Sequence, residues 1–310
     1  MLRSTCPPAE AEPRVPVARS LRGALADLAR TMPTDIATAV DIAAYRRAGA
    51  ARGTTAEAVA ARLGLTAEGH ELEDGSAVTV FRGERVAARV VFLHGGGLIA
   101  GNRFDGVDVV ARHADALDLE VWTVEYPLAP EHRLERMVET VIEAVVACAD
   151  DGLPVVLAGQ SGGGGLAAAT AMECRDRGIP LVGQLLICPM LGREPTPAIR
   201  QFAQDPSWSE LSNATAWAAV LAGSELVPPA ERDDLAGLAP SFLDTGSAEL
   251  FRDTIVGYAG GLWAHGCRAE LHVWSGAFHG SDCAAESPVV SIEAHRARRE
   301  WLRRMLTDEL

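Results

Sequence analysis

The chain predicts an α/β architecture: a mostly parallel central sheet with helices on both faces and a helical cap. Three observations carry this expectation. Short β-branched runs alternate with helix-length segments over most of the sequence, glycine clusters follow two of those runs, and one long segment interrupts the alternation.

Residues 1–65 are expected to form an N-terminal helical cap segment. From about Ser20 to Leu65 the chain is Ala-rich, with Leu and Val at helix-like spacing and no strand signal. Residues 66–310 are expected to form the catalytic domain. From Ala77 β-branched runs begin, the clearest being Val86 to Leu93, Leu119 to Glu125, Pro154 to Ala158, Leu181 to Cys188, Ser241 to Thr245 and Ala269 to Trp274. Helices are expected over Glu131 to Ala149, Gly163 to Arg177, Leu250 to Ala264 and Ser291 to Leu306. In the last, Trp301, Leu302, Met305 and Leu306 make an apolar stripe, and Arg296, Arg298, Arg299 and Glu300 supply the polar remainder. Strand–helix alternation brings the functional residues to the carboxyl ends of the strands. The segment from about 191 to 238 breaks the pattern and is too long for a simple connection, so it reads as a cap insertion packed with the N-terminal helices. Its aromatic residues, Phe202, Trp208 and Trp217, are expected to form mainly a small core of their own.

Composition narrows the function classes. The chain has 310 residues, a net charge of −14 and no lysine. The acidic balance argues against a nucleic-acid or anionic-membrane partner, which would require a basic face. Absence of lysine removes Schiff-base and P-loop chemistry. No apolar run reaches the length of a membrane span, and Met1 to Arg30 lacks the apolar core of a signal peptide. The six cysteines (Cys6, Cys148, Cys174, Cys188, Cys267, Cys283) show no paired spacing, so free thiols in a cytoplasmic protein are expected.

The sharpest motif is Gly159-Gln160-Ser161-Gly162-Gly163, entered from the apolar run Pro154 to Ala158 and followed by the helix-forming Leu166-Ala-Ala-Ala. A serine on such a strained strand-to-helix turn projects its hydroxyl above the sheet, and the flanking glycines keep other side chains clear. Ser161 is therefore the expected nucleophile. A second run, Val86 to Leu93, leads into His94-Gly95-Gly96-Gly97, whose unshielded N–H groups suit an oxyanion. We assign Gly95 and Gly96 to that hole together with Gly162. His94 is expected to brace the glycine loop. No metal-ligand spacing such as HExxH occurs, and no metal or cofactor is expected.

His94-Gly-Gly-Gly97, Tyr126-Pro-Leu-Ala-Pro-Glu-His132 and Gly159-Gln-Ser-Gly-Gly163, in this order, resemble the hormone-sensitive-lipase-like esterases of the α/β-hydrolase fold. The likeness runs from about Phe81 to the final helix. Two departures stand out: Gly162 lies where that family commonly has Ala, and Pro127 where its tyrosine is usually followed by Arg. The resemblance implies a small-molecule ester of short to medium acyl chain as substrate, and it is compatible with a homodimer.

In this fold the triad order is serine, acid, histidine. His279 sits among glycines beyond the last strand and is the expected base. His272, His265 and His295 lie within a strand or helices and read as structural. Three acids cluster around Ser241 to Thr245: Asp244 lies within the run, and Glu249 and Asp253 follow it. Glu249 is chosen as the acid because it can face the histidine loop and aligns with the first position of the family's Asp-x-x-x-Asp. Asp253 suits a helix N-terminus. Two other readings use the same residues: an acyltransferase or cyclase built on the same triad, and an inactive ligand-binding hydrolase fold.

Overall fold

The computed structural model describes residues 13–307 and 309. The expected free thiol at Cys6 lies outside the described residues. Three helices come first: α1 (Arg22–Thr31), α2 (Ala39–Ala50) and α3 (Ala56–Leu63). Side chains cap the second and third. Thr38 and Asp41 form a reciprocal capping box on α2, and Thr55 caps α3, which ends on Gly64 in the left-handed conformation.

The sheet then begins with β1 (Thr66–Glu71), β2 (Ala77–Arg82) and β3 (Ala88–Leu93), followed by α4 (Asp108–Ala111), β4 (Leu119–Val124), α5 (Leu134–Cys148), β5 (Val155–Gln160), α6 (Gly162–Asp176) and β6 (Gly183–Ile187). After it come α7 (Pro197–Gln201), α8 (Glu210–Val220), β7 (Ser241–Gly246), α9 (Arg252–Ala264), β8 (Ala269–Trp274), α10 (Ser281–Ala284) and α11 (Val289–Leu306). The strands form one eight-stranded sheet in the order β1-β2-β4-β3-β5-β6-β7-β8. From β4 through β8 every pairing is parallel, and β1 and β2 add at one edge by antiparallel pairing.

β1 and β2 are absent from the six runs named above. β1, Thr-Ala-Glu-Gly-His-Glu, is exposed along its whole length, so burial leaves no apolar alternation in its sequence. β3 also starts two residues later than expected, at Ala88.

Side chains of the central strands alternate between two cores. Val91 and Leu93 of β3 and Val155 and Leu157 of β5 join the cluster that includes Met137 and Val141 of α5 and Leu166 of α6. Val90, Phe92, Val156 and Ala158 join the opposite cluster with Val109 and Val110 of α4 and Trp301 and Leu302 of α11. A sheet buried on both faces explains why these strands read as continuous apolar runs.

Arg298 corrects the reading of the last helix. It is 2% exposed, and its guanidinium spans Asp244 of β7 (Nη2 to Oδ2, 2.7 Å) and Asp282 of α10. An internal ion network at that position is invisible to a helical-stripe argument. The aromatic residues of the 191–238 segment also do not form a core of their own. Phe202, Trp208 and Trp217 are continuous with the main cluster.

The N-terminal helices and the 191–238 segment meet over the carboxyl ends of the strands. Ser212 Oγ accepts from Ile36 N and donates to Thr34 O, and Ser209 Oγ also donates to Thr34 O. Tyr45 of α2 meets Trp208 edge-on, with ring centroids 6.2 Å apart. Arg46 fastens α2 to the loops that follow β3 and β4 through the carbonyls of Ile99 and Ala129, at 2.7 and 2.8 Å.

Candidate active site

β5 delivers Ser161 onto a backbone turn of φ 55°, ψ −120°, a region that a side-chain-bearing residue enters only at a cost of about 1–3 kcal/mol. The turn is held from outside. Ser161 N donates to Ile187 O, and Ser161 O accepts from Met190 N, both at 2.9 Å. Glycine is needed on either side because backbones touch here. A Cβ on Gly159 would lie 2.2 Å from Gly163 O, and one on Gly163 would lie 2.2 Å from Leu93 O. The helix α6 can therefore start directly against the end of β3.

His279, on the loop after β8, places Nε2 2.8 Å from Ser161 Oγ, and its Nδ1 lies 2.5 Å from Glu249 Oε2. Glu249 is fully buried. Its other oxygen, Oε1, accepts from Gly246 N at 2.8 Å and from the Thr245 hydroxyl. Both carboxylate oxygens are thus engaged, and the group is fixed by the end of the strand that carries it. Phe251 meets the His279 ring edge-on at 5.1 Å.

Other acids and histidines that the sequence offered are occupied elsewhere. Asp253 accepts from Ala198 N and from Arg252. Asp244 accepts from Arg298 and from Trp274 Nε1. His272 stacks between Phe242 and Trp274, and His265 Nδ1 sits 2.8 Å from Gly261 O.

Opposite the serine, Gly95 and Gly96 follow β3, and among the described residues the N–H groups of Gly95, Gly96 and Gly162 take no acceptor. Gly95 approaches Ser161 so closely that a Cβ on it would be 3.5 Å from the serine Cβ. Gly96, at φ 109°, lies against Ala100 O, where a Cβ would be 2.2 Å away. Unengaged donors in a loop that packs on the serine are the kind of group a developing oxyanion requires. His94 holds this loop as expected: Nδ1 lies 2.7 Å from Gly95 O, and the ring stacks on Tyr126 at 4.2 Å. Tyr126 in turn donates to His94 O at 2.8 Å. Burial lowers the His94 pKa, which keeps the ring neutral.

A cavity of about 550 Å³ opens beside the glycine loop, lined by Gly95, Gly96 and Gln160 below and by Leu28, Met32, Tyr45 and Leu128 above. Nothing local marks the residues of the upper wall, which are ordinary helix and loop positions until the chain folds over.

Behind the triad, Arg298 links the strand that leads to Glu249 with the helix that follows His279. Burial pushes the Asp282 carboxyl up, but the Arg298 charge outweighs it and the net direction is down. Removing one member of this buried network would leave uncompensated charge in the interior.

A family model described as alpha/beta hydrolase fold matches residues 90–282. The chain is similar to the esterase LipI of Mycobacterium tuberculosis, at 30% identity over 207 residues, which is 62% of this chain and 64% of that protein. Carboxylesterase NlhH of the same organism is 32% identical over 207 residues, 59% of this chain and 62% of that protein. The chain thus spans a little under two thirds of the length of these relatives. The crystal structure of esterase LipW from Mycobacterium marinum superposes with a TM-score of 0.82 at 26% identity, covering 94% of this chain and 98% of that one.

Proposed function

The chain belongs to the alpha/beta-hydrolase fold family, and on that premise we propose that it is a serine carboxylesterase, cleaving short- to medium-chain carboxylic esters through an acyl-enzyme on Ser161. The observation that carries the proposal is the unbroken hydrogen-bond chain from Ser161 Oγ through His279 to Glu249, facing N–H groups that have no other acceptor. His279 Nε2 takes the serine proton as Oγ attacks the ester carbonyl. Negative charge moves to the carbonyl oxygen, which the N–H groups of Gly95, Gly96 and Gly162 receive; losing one such donor costs about 3 kcal/mol of barrier lowering. Glu249 orients the imidazole and stabilises the imidazolium, which then protonates the departing alcohol. Water follows the same route in reverse and frees the acid.

The N-terminal helices and the 191–238 segment act in this reading as the cap that bounds the substrate cavity. Among the described residues no helix is long and apolar enough to cross a membrane. The five cysteines among the described residues, all free, and the net charge of −14 support a cytoplasmic enzyme without a nucleic-acid partner.

The test is turnover of a p-nitrophenyl ester series by the wild type and by Ser161→Ala. Hydrolysis that fades with longer acyl chains, and that Ser161→Ala abolishes, is the expected result. Wild-type turnover by Ser161→Ala would overturn the scheme.

A further inference from the structure

The residue after β6, Cys188, is not used by the mechanism above, yet it lies against the triad. One ligating atom each from Cys188, Glu249 and His279 fall within 4.8 Å of one another; Cys188 and Glu249 are buried, and the His279 side chain is 10% exposed. Cys188 is placed there by its backbone. At φ 36° it turns out of the strand, and its N–H donates to Asp244 O at 2.9 Å.

A thiol, an imidazole and a carboxylate in one cluster form the donor set of a borderline-soft divalent ion such as zinc, which takes sulfur, nitrogen and oxygen ligands in a tetrahedron and leaves a fourth position open when three are supplied. We propose that Cys188, Glu249 and His279 form a binding site for zinc-class divalent cations, and that occupying it switches the hydrolase off. The inhibitory half of this inference rests on the triad reading given above; the binding half does not.

The surroundings favour a cation. The Glu249 carboxylate supplies negative charge for a dication within the cluster itself, and a coordinating metal strips the thiol of its proton outright. The balance is simple: the ion binds, one proton leaves Cys188 for solvent, and no electron moves. His279 must offer Nδ1, the nitrogen that faces Glu249, as a neutral ligand. Its hydrogen bond to Glu249 is then replaced by two metal bonds. A ring whose Nδ1 lone pair is held by a metal keeps its proton on Nε2 and can no longer accept one from Ser161.

The experiment uses the full chain, freed of metal by chelation, and titrates it with cadmium as a spectroscopic stand-in and with zinc. Cadmium reports through the ultraviolet thiolate-to-metal charge-transfer band, and ester turnover is followed in the same samples. The expected result is a band that saturates at one cadmium per chain, with turnover falling about 10³-fold or more over the same range, the scale of losing a triad member, and recovering on adding chelator. Cys188→Ser, with Cys188→Ala as a second variant should the first fold poorly, is expected to keep its basal turnover and lose both band and inhibition. Cys283→Ser, which removes the exposed thiol, should keep both.

No stoichiometric band in the wild type, or a band that persists without Cys188, overturns the site. A Cys188-dependent band with unchanged turnover overturns the inhibitory mechanism. If the chain hydrolyses no ester at all, the band still decides whether the metal binds.

Discussion

Adding one methyl group at Gly162 tests how tightly the oxyanion loop is set against the nucleophile. Related esterases commonly carry Ala at this position, so Gly162→Ala would pass for a benign substitution. The structure says otherwise. A Cβ there would stand 2.7 Å from Leu98 N and 2.9 Å from both N and Cα of Gly97, whereas ordinary contact begins at 3.4 Å. The shortfall is about 0.5–0.7 Å, and every atom concerned is backbone. The loop has little room to retreat, because Trp208 lies on Gly97 and Leu98 O accepts from Ala129 N at 2.9 Å. The glycine loop and the serine must therefore move apart by roughly half an ångström. A displacement of 1 Å costs about 10²-fold and a lost oxyanion donor about 10²–10³-fold. We expect kcat to fall by about 10–100-fold, or about 1.4–2.7 kcal/mol of barrier, with KM little altered, since these donors act on the transition state. Overpacking should also lower stability by about 1–3 kcal/mol. The assay is kcat and KM on a short p-nitrophenyl ester beside a thermal melt. Gly257→Ala is the control: it sits in α9 with nothing within 4 Å of the added carbon, so it should leave kcat unchanged and stabilise by about 0.5–1 kcal/mol. A Gly162→Ala enzyme within twofold of wild-type kcat, with an unshifted melt, would refute the reasoning.

Two further predictions concern the acid and the behaviour in acid. Glu249→Gln should reduce kcat by roughly 10³–10⁴-fold, while Asp253→Asn, whose carboxylate serves Ala198 N and Arg252, should change it by no more than a few-fold; the opposite ranking would move the acid to Asp253. Burial, the largest influence on both, lowers the pKa of His113 to about 3 and of His295 to about 4. Around them stand Arg112, Arg298, Arg299, Asp282 and Glu286. An unfolded histidine titrates near 6.5, so below that pH the unfolded chain binds protons that the folded chain refuses, and stability falls as pH drops towards 4 and then 3. The slope should reach up to about 1.4 kcal/mol per pH unit for each histidine, and denaturant unfolding between pH 7 and 4 should show it flattened in His295→Phe.

What could be read from the sequence follows from how locally each part is encoded. Ser161 and the glycine loops are contiguous motifs at strand ends, where chemistry needs particular residues at neighbouring positions. Glu249 and His279 were reachable through chain order, because the fold imposes serine, acid, histidine. Arg298 was not. In an amphipathic helix an arginine looks like the solvent face, and only the convergence of Asp244 and Asp282 from two other elements makes it an internal counter-charge. The edge strand β1 was hidden for the reverse reason: nothing covers it, so no apolar pattern marks it. Cys188 reads in the sequence as one more free thiol, and only the fold sets it beside Glu249 and His279.

The wall above the substrate cavity comes from two stretches of chain, joined for example by Ile36 N and Ser212 Oγ, which are 176 positions apart. Neither stretch contains a residue that touches the reacting ester bond in the proposed chemistry, so selectivity can be rewritten without disturbing the machinery beneath. But because the two halves meet through Tyr45 and Trp208 and through the Thr34 carbonyl, changes in one will be felt through the other, and their effects on substrate choice will not add. Chimeras that exchange only the leading helices or only the inserted segment between relatives would present mismatched surfaces. The two are best inherited, shuffled or redesigned as a pair.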